Sequence, residues 1–480
     1  MFEIRLIPTA RTICASLLVL FITLNSSLAR AAIPEFSNCL LAASKNQLVS
    51  LGQPLASERL AHKTNIQVGV LPFYFKNGEV KQLSEFEKKD YLDAAASIRR
   101  MSNNLVSIQI VFLESFKFEK TQDVLKQAFL ERDFAWSNQS TKQGTWGFVR
   151  DVISAADLSR DFSNLDSVIL ETNNLDRSFS IAEAMGFYRG IQGNVYRFSN
   201  SDFFKSISTQ DGTIDNAILF DRHQGVGTIA HEILHNYGLT DLYGSGTGPA
   251  NLSIMSAGSQ SLLNYEKAVL GWFPNEKFQC KNLENMVIPN TVDNIVEISN
   301  FRTDSILLLK KTEDVAYLIE VINAENKSLL VVYLLEQELR PPIRTSYDPD
   351  VSYASFFDLS NLKFIGSKYR TDDFEVLVTN IKDNSATLNL IPTQMANSVE
   401  AKTLIQKSLS NRAEALALQS VKAEADAKAK AEADAKANVE VKINTNLPTQ
   451  KTTISCIKGK KILKVVAVKP KCPSGYKLKK

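Results

Sequence analysis

The sequence predicts a mixed α/β domain, a following all-β domain of sandwich-like type, a helical spacer and a small lysine-rich module. Three observations support this organisation. Strand-like and helix-like patterns alternate in the first half of the chain, and short aliphatic and β-branched runs replace them in the second half. The rest is a stretch rich in Ala, Lys and Glu and a tail with paired cysteines. The expected segments are 1–31 (a leader), 32–275, 276–395, 396–450 and 451–480.

The composition is that of a globular protein. Apolar residues make up 44% of the 480 residues and charged residues 22%, which allows a sizeable core and suggests two or three domains. The formal net charge of +3 is too small to indicate a polyanionic partner for the whole chain. We therefore expect no nucleic-acid partner, and we expect a monomer.

The N-terminal segment has the pattern of a secretory signal peptide. Arg5 and Arg11 precede an apolar run at residues 13–24, which is short for a membrane-spanning helix. Residues 29–31, Ala-Arg-Ala, offer a small-residue cleavage site. Removal of residues 1–31 is the expectation, which predicts a secreted or extracellular protein. An N-terminal membrane anchor is the alternative.

Four cysteines remain once the leader is removed. Cysteines of an exported chain are typically paired in disulfide bonds, and four of them allow three connectivities. We expect Cys39–Cys280 and Cys456–Cys472, because the second pair lies within one short segment. A Cys39 thiolate that binds the metal in a latent form is the alternative to the first pair.

Helix and strand signals alternate in the first domain. Ser84 and Glu87 form a capping-box pattern, which predicts a helix that extends to about Met101. The apolar residues of this helix recur every three or four positions, so we expect one buried face. Further helices are predicted at about 148–158 and at 226–237. Strands are predicted at 66–75, 106–112, 167–171 and 217–221.

After Trp272, the short β-branched and aliphatic runs predict an all-β domain that ends near Pro392. Residues 398–442 are mainly Ala, Glu, Asp and Lys, and one octad occurs twice in tandem at 422–437. This stretch favours a helix but has no apolar seam for a coiled coil, so we expect a solvated spacer. The β-domain strands are predicted at 295–298, 305–310, 316–322, 328–335, 374–380 and 386–390.

The final segment, 451–480, contains ten lysines and no acidic residue. Cys456 and Cys472 flank a valine-rich, strand-like run, which predicts a small module closed by a disulfide bond. Its charge favours docking on an anionic cell wall or membrane surface. A solubilising tail is the alternative.

Three of the four histidines in the chain fall within thirteen residues: His223, His231 and His235. If 226–237 is a helix, His231 and His235 lie one turn apart on one face and can bind the same metal ion. Glu232 adjoins the first of them, where its carboxylate can accept a proton from a water that the metal acidifies.

A catalytic zinc ion usually has three protein ligands and one position left for water. Gly238 follows the helix and can adopt the left-handed conformation that ends a helix and reverses the chain. That reversal would bring Asp241 towards the metal, so Asp241 is the expected third ligand. Glu266, 31 residues after His235, is the rival third ligand.

The pattern His231-Glu232-x-x-His235-x-x-Gly238-x-x-Asp241 resembles the elongated motif of the immune-inhibitor-A type metallopeptidases, relatives of the metzincins. The usual metzincin pattern has His at the third ligand position, where this chain has Asp. Leu242-Tyr243 is similar to that family's Asp-Leu-Tyr. The segments 254–258 and 267–272 resemble its Met-turn, with Met255, and its Lys-x-x-Leu-Gly-Trp helix.

The close resemblance covers 225–274 and implies an α+β metzincin-like zinc peptidase domain at 32–275. It predicts a secreted zinc endopeptidase that hydrolyses extracellular proteins or peptides, with Glu232 as general base. The alternatives are a catalytically degenerate binding or adhesion protein of the cell surface, and a metal-dependent hydrolase of a non-peptide substrate. Tyr243 and Tyr265 are candidates either for stabilising an oxyanion or for packing, and His223 either for lining the cleft or for the surface. No loop has EF-hand spacing, although scattered oxygen atoms can still bind Ca²⁺.

Overall fold

A computed structural model describes residues 39–43, 49–135, 144–174, 176–187, 205–242, 252–256, 261–285, 294–324, 327–337, 343–344, 354–445 and 450–479. The predicted leader, 1–31, lies outside these residues. The described part of the chain is a mixed α/β structure with several sheets and few helices. The chain divides into two compact units, 1–412 and 413–480. Among the described residues, no helix has the length and hydropathy required to cross a bilayer.

The first sheet has six strands and lies at the centre of the N-terminal part. Its strands are β1 (Asn65–Phe75), β2 (Ser107–Phe112), β3 (Phe116–Phe118), β4 (Ser167–Glu171), β5 (Ala182–Gly186) and β8 (Asn216–Phe220), and a separate hairpin forms β6 (Ile207–Thr209) and β7 (Gly212–Ile214). The order is β2-β1-β4-β8-β5, with β3 also paired to β1. All pairs are parallel except β5 with β8, which is antiparallel.

Helices cover both faces of this sheet. They are α1 (Glu85–Met101), α2 (Asp123–Ala135), α3 (Gly144–Ala156) and α4 (Val226–Tyr237), and a short helix, α5 (Asn264–Val269), follows them in the chain. Apolar residues of α1 and α4 pack with one face of the strands, and those of α2 and α3 pack with the other. Burial on both faces is the usual condition of a parallel sheet.

Helix α1 confirms the local prediction in detail. Ser84 Oγ accepts a hydrogen bond from the Glu87 amide at 3.2 Å, and the Ser84 amide donates to Glu87 Oε2 at 2.7 Å. These two bonds satisfy amide groups that have no partner inside the helix. The apolar face is buried as expected, with Tyr91, Ala94, Ala95, Ile98 and Met101.

Two sheets follow α5. The larger contains β9 (Phe278–Asn282), β11 (Ser305–Lys310), β12 (Val315–Ala324), β13 (Lys327–Glu336), β14 (Ile343–Arg344) and β15 (Ala354–Asp358), and the smaller contains β10 (Ile295–Ile298), β16 (Lys368–Arg370), β17 (Phe374–Lys382) and β18 (Ser385–Pro392). Their orders are β14-β13-β12-β11-β9, with β15 paired to β13, and β10-β18-β17-β16. Only β9 and β11 pair in parallel.

The larger of these sheets shares a hydrophobic core with the first half of the chain. Leu308, Leu318 and Val331 belong to the same buried cluster as Val68 of β1 and Tyr237 of α4. The disulfide Cys39–Cys280, with a Cα–Cα distance of 6.0 Å, adds a covalent link between the N-terminal segment and β9. This pair and Cys456–Cys472 confirm the expected connectivity.

The long helix α6 (Val399–Thr445) covers most of the predicted spacer. Its first turns contact β17 and β18, because Leu404 and Ile405 pack against Leu377 and Ile391. From Ala413 to Ala435 the described side chains are almost all exposed, as expected for a solvated helix. The C-terminal module is a three-stranded antiparallel sheet of β19 (Thr452–Lys458), β20 (Lys461–Ala467) and β21 (Lys477–Leu478), in the order β20-β19-β21.

Candidate metal centre

The predicted helix Val226–Tyr237 forms with those bounds as α4. Ile229, Ile233 and Tyr237 recur every four residues and are buried, so this stripe anchors the helix in the core. His231 and His235 lie on a different stripe, one turn apart. The packing of the apolar stripe therefore determines the direction in which both imidazoles point.

Gly238 ends the helix in the left-handed conformation that was expected, with φ +110°. Its amide donates to the His235 carbonyl, and the Leu239 amide reaches back to the Leu234 carbonyl at 3.3 Å, as in a Schellman motif. A Cβ at Gly238 would lie 3.2 Å from Leu55 Cδ2. Both the backbone conformation and the space therefore favour glycine at this position.

The reversal of the chain brings Asp241 to the two histidines. The distance between His231 Nε2 and His235 Nε2 is 3.0 Å. Asp241 Oδ1 lies 3.2 Å from His231 Nε2 and 3.1 Å from His235 Nε2. The three side chains thus form a compact group of two nitrogens and one oxygen that could hold a metal ion.

Backbone carbonyls orient both imidazole rings. His231 Nδ1 lies 2.8 Å from the Ile254 carbonyl, and His235 Nδ1 lies 2.8 Å from the Leu239 carbonyl. A carbonyl oxygen can only accept a hydrogen bond, so each Nδ1 must carry the proton. In the neutral rings, each Nε2 then directs a lone pair into the group, which is the tautomer that metal ligation requires.

The donor atoms fit a small cation. Two atoms bound to one tetrahedral zinc ion at its usual distances lie about 3.3 Å apart, close to the 3.0–3.2 Å separations of this group. Asp241 Oδ1 is buried between the two imidazoles. Three electron-rich atoms at this separation repel each other unless a positive charge, a proton or a metal ion, lies among them.

The pKa values of His235 and Asp241 also favour a positive charge among the three side chains. Burial lowers the pKa of His235, but the hydrogen bond and the negative charge of Asp241 outweigh it and raise this pKa to about 9. Burial raises the pKa of Asp241, but the hydrogen bonds and charges of His231 and His235 outweigh it and hold this pKa well below its usual range. A metal ion would replace the proton that the group otherwise binds.

Glu232 lies beside the group without being part of it. Its side chain is buried, and burial raises its pKa above the ordinary glutamate value, although the nearby His235 and His231 oppose the shift. The backbone of Ala184 in β5 also interacts with the carboxylate. A carboxylate with a raised pKa next to a metal-ligand group is suited to accept and return a proton.

The segment 252–256, which includes Met255, packs beneath the group. The Ile254 carbonyl accepts from His231, and the Met255 carbonyl accepts from the Leu242 amide at 2.8 Å. Met255 itself is fully buried. This turn therefore holds both the first histidine and the residue that follows Asp241.

Glu266, the rival third ligand, lies outside the group and has other partners. Its Oε2 accepts from Ser253 Oγ at 2.6 Å and from the Leu263 amide at 2.7 Å. Ser253 Oγ in turn accepts from the Met255 amide at 3.0 Å. Burial raises the pKa of Glu266 to about 8. The geometry thus gives Glu266 the role of anchoring the turn that orients His231.

Of the other residues predicted to support the site, the structure describes some but not all. Tyr265 is fully buried, and its hydroxyl accepts from the Leu41 amide at 3.3 Å, so its position is that of a packing residue. Tyr243 and residues 257–258 lie outside the described part of the chain. Trp272 packs edge-on against Tyr237 of α4, with ring centroids 5.2 Å apart.

His223 lies in a buried charge network that the sequence did not predict. Its ring nitrogens lie 3.0 Å from Asp90 Oδ2 and 3.3 Å from Glu171 Oε2. Lys81 lies 2.6 Å from Glu171 and 2.7 Å from Glu87. Burial lowers the pKa of His223, but the hydrogen bonds to Glu171 and Asp90 outweigh it and raise this pKa.

Glu87, Glu171 and His223 also bring ligand atoms within 4.8 Å of one another, a separation that would suit a metal ion. However, the Lys81 ammonium is only 3% exposed and already contacts both carboxylates, so the compensating positive charge belongs to the chain itself. One sequence signal could have indicated part of this network. Glu171 is the last residue of β4 and His223 follows the carboxyl end of β8, and these two strands are adjacent and parallel.

Comparison with known proteins adds no relative, since no protein-family model and no curated protein sequence match this chain.

Proposed function

We propose that this protein is an exported zinc-dependent endopeptidase that resembles the immune-inhibitor-A type metallopeptidases. The observation that carries the proposal is the convergence of His231, His235 and Asp241 within 3.2 Å of one another, with the buried Glu232 adjacent. Its metzincin-like character rests on the motif and on the turn at Met255 that supports His231.

The donor set supports zinc among the common metals. Two imidazole nitrogens and one carboxylate oxygen suit zinc, whereas calcium and magnesium favour sites made of oxygen atoms. Three protein ligands also correspond to the catalytic rather than the structural type of zinc site, which has four. When bound, the ion supplies acidification of a water molecule and polarisation of the substrate carbonyl.

Glu232 supplies the acid–base function. Its carboxylate accepts a proton from the attacking water and then donates it to the leaving amine nitrogen of the cleaved peptide bond. This double use requires a pKa closer to neutral than that of an exposed glutamate. Burial of Glu232 shifts the pKa in that direction.

The position of β5 supports an extended peptide as the substrate. In the described part of the first sheet, β5 is the terminal strand on its side, and it is antiparallel to β8. Ala184 of this strand interacts with Glu232. A strand at a sheet edge can pair with an extended peptide through backbone hydrogen bonds, which would hold a scissile bond next to the general base.

Export is supported by the two disulfide bonds, which persist in oxidising compartments. The signal-peptide pattern of residues 1–31 points the same way. Extracellular proteins or peptides are therefore the proposed substrates.

The decisive experiment compares the purified wild-type protein with Glu232→Gln in a casein-cleavage assay, with zinc content measured on the same samples. We expect equimolar zinc in both proteins, chelator-sensitive cleavage by the wild type, and a loss of at least about a hundredfold in the variant. Glu276→Gln, a change of the same kind at an exposed glutamate, is the control and should keep full activity.

Equal cleavage by Glu232→Gln and wild type would refute the assignment of the base. A wild-type protein that binds zinc but cleaves no protein or peptide would instead support the binding or adhesion protein. A screen of ester, amide and glycan substrates would then test hydrolysis of non-peptide compounds.

A further inference from the structure

The C-terminal module leaves most of its aliphatic side chains in water. Within the described residues 450–479, Cys456 is the one buried side chain. Ile462, Val466 and Leu478 are between 54% and 57% exposed. The disulfide Cys456–Cys472 closes the module, so these side chains are not required for a core. Aliphatic side chains grouped on an exposed surface typically mark a site of interaction.

Strand register places two of these three side chains, Ile462 and Val466, on one face of the sheet, whereas Leu478 is opposite Cys456 and lies on the other face. Directly opposite residues of an antiparallel pair share a face, and residues two apart on a strand share it as well. Ile457 is opposite Ile462 and also opposite Lys477, and Val466 and Lys464 follow Ile462 at this spacing. We call these five residues, Ile457, Ile462, Lys464, Val466 and Lys477, the basic–apolar face.

The positive charge of the C-terminal module indicates that its partner is negatively charged. Residues 451–480 contain ten lysines and no acidic residue. Lys464 and Lys477 of the basic–apolar face are exposed. A second copy of the module would bring lysines against lysines, so self-association through this face is electrostatically unfavourable.

The basic–apolar face contains both lysines and aliphatic residues, and this combination favours an anionic bilayer over an anionic polymer as the partner. A hydrated anionic polymer can neutralise lysines but offers no apolar phase for Ile462 and Val466. The interface of an anionic bilayer offers both, because aliphatic side chains enter the acyl boundary while lysine ammonium groups remain among the headgroups. We propose that the C-terminal module binds anionic lipid bilayers through the basic–apolar face. This attachment is independent of the proposed peptidase activity.

The test uses the full-length protein in a flotation assay with vesicles of phosphatidylcholine, with or without phosphatidylglycerol. We expect binding that requires phosphatidylglycerol and weakens with added salt. The double variant Lys464→Gln/Lys477→Gln should bind about 25-fold more weakly, at about fivefold per lysine near an anionic surface. The double variant Ile462→Ser/Val466→Ser should lose on the order of tenfold in affinity. Lys422→Gln/Lys430→Gln removes the same charge from exposed positions of α6, and its affinity should stay within about threefold of wild type.

A second measurement reports insertion directly. Val466→Trp should show a blue shift of its tryptophan emission on phosphatidylglycerol vesicles and none with soluble polyglutamate. Equal binding to neutral and anionic vesicles would overturn the proposal. So would an unchanged affinity of Ile462→Ser/Val466→Ser together with tight binding of polyglutamate, because the partner would then be a polyanion.

Discussion

Replacement of Lys81 by methionine tests whether the charge network around His223 supports the fold. Lys81 is 3% exposed, and it contacts Glu171, which is fully buried, and Glu87. Methionine keeps most of the volume of the lysine stem and removes the ammonium. Three carboxylates, of Glu87, Glu171 and Asp90, would then face His223 alone. Removal of one partner from a buried ion pair typically costs about 3–5 kcal/mol of unfolding free energy.

The pH dependence separates the loss of charge from the loss of packing. The pKa of Glu171 is lowered in the folded protein: burial raises it, but hydrogen bonds from His223 and Lys81 outweigh burial. A lowered carboxylate pKa stabilises the fold above the unfolded value, and this stabilisation is lost as the pH falls through the folded value. The deficit of Lys81→Met should therefore be largest near neutral pH and shrink in acid, where protonated carboxylates no longer need a cation.

The assay is urea denaturation followed by far-ultraviolet circular dichroism, in neutral and in acidic buffer. Lys126→Met, which removes a lysine from the exposed pair with Asp176, serves as the control and should keep the wild-type midpoint. A Lys81→Met midpoint equal to that of the wild type, or a deficit of the same size in both buffers, would refute the electrostatic explanation.

Three further predictions concern the metal centre and its surroundings. Asp241→Ala should lose zinc on dialysis. Glu266→Gln should keep equimolar zinc but bind it about 10–100-fold more weakly, as is typical when a residue that orients a ligand is changed. Titration with a competing chelator measures both zinc affinities, and the reverse ranking would make Glu266 the ligand. Gly238→Ala should destabilise the fold by about 1–2 kcal/mol through its left-handed backbone and also weaken zinc binding. Gly271 also has a positive φ, +72°, and no atom lies within 4 Å of a Cβ placed there, so Gly271→Ala should lower the melting temperature without changing zinc affinity. The pKa of His223 is raised, so its charge stabilises the fold fully below its unfolded pKa, and this contribution fades as the pH rises through the raised value. His223→Gln should therefore flatten the stability profile between the unfolded and the raised pKa, and an unchanged slope there would contradict this role.

Local patterns predicted the elements well where the determining residues are close in sequence. The Ser84 and Glu87 pair gave the start of α1, and the helix at 226–237 and the strand at 167–171 have the bounds expected from periodicity and turn residues. Strand β5 was not predicted. Its sequence, Ala-Glu-Ala-Met-Gly, has no β-branched residue, and it is held as a strand by pairing with β8 rather than by its own propensity.

In the candidate site, too, the contacts between residues close in sequence could be predicted and those between distant segments could not. The convergence of His231, His235 and Asp241 could be anticipated, because a helical turn and one glycine determine it. The partners of Glu266 and the contacts of His223 could not, since they join segments that are far apart in the chain. No spacing rule relates Lys81 to Glu171, and only the parallel sheet and the packing of α1 bring them together.

The two disulfide bonds do not cross each other along the chain. The four described cysteines pair in the order in which they occur, Cys39 with Cys280 and then Cys456 with Cys472. In a chain that crosses a membrane from its N-terminus, each cysteine would thus meet its native partner as the next one to emerge. If the chain is exported as proposed, oxidation in order of arrival would yield the native bonds, and we expect its maturation to need an oxidant but no catalyst of disulfide exchange.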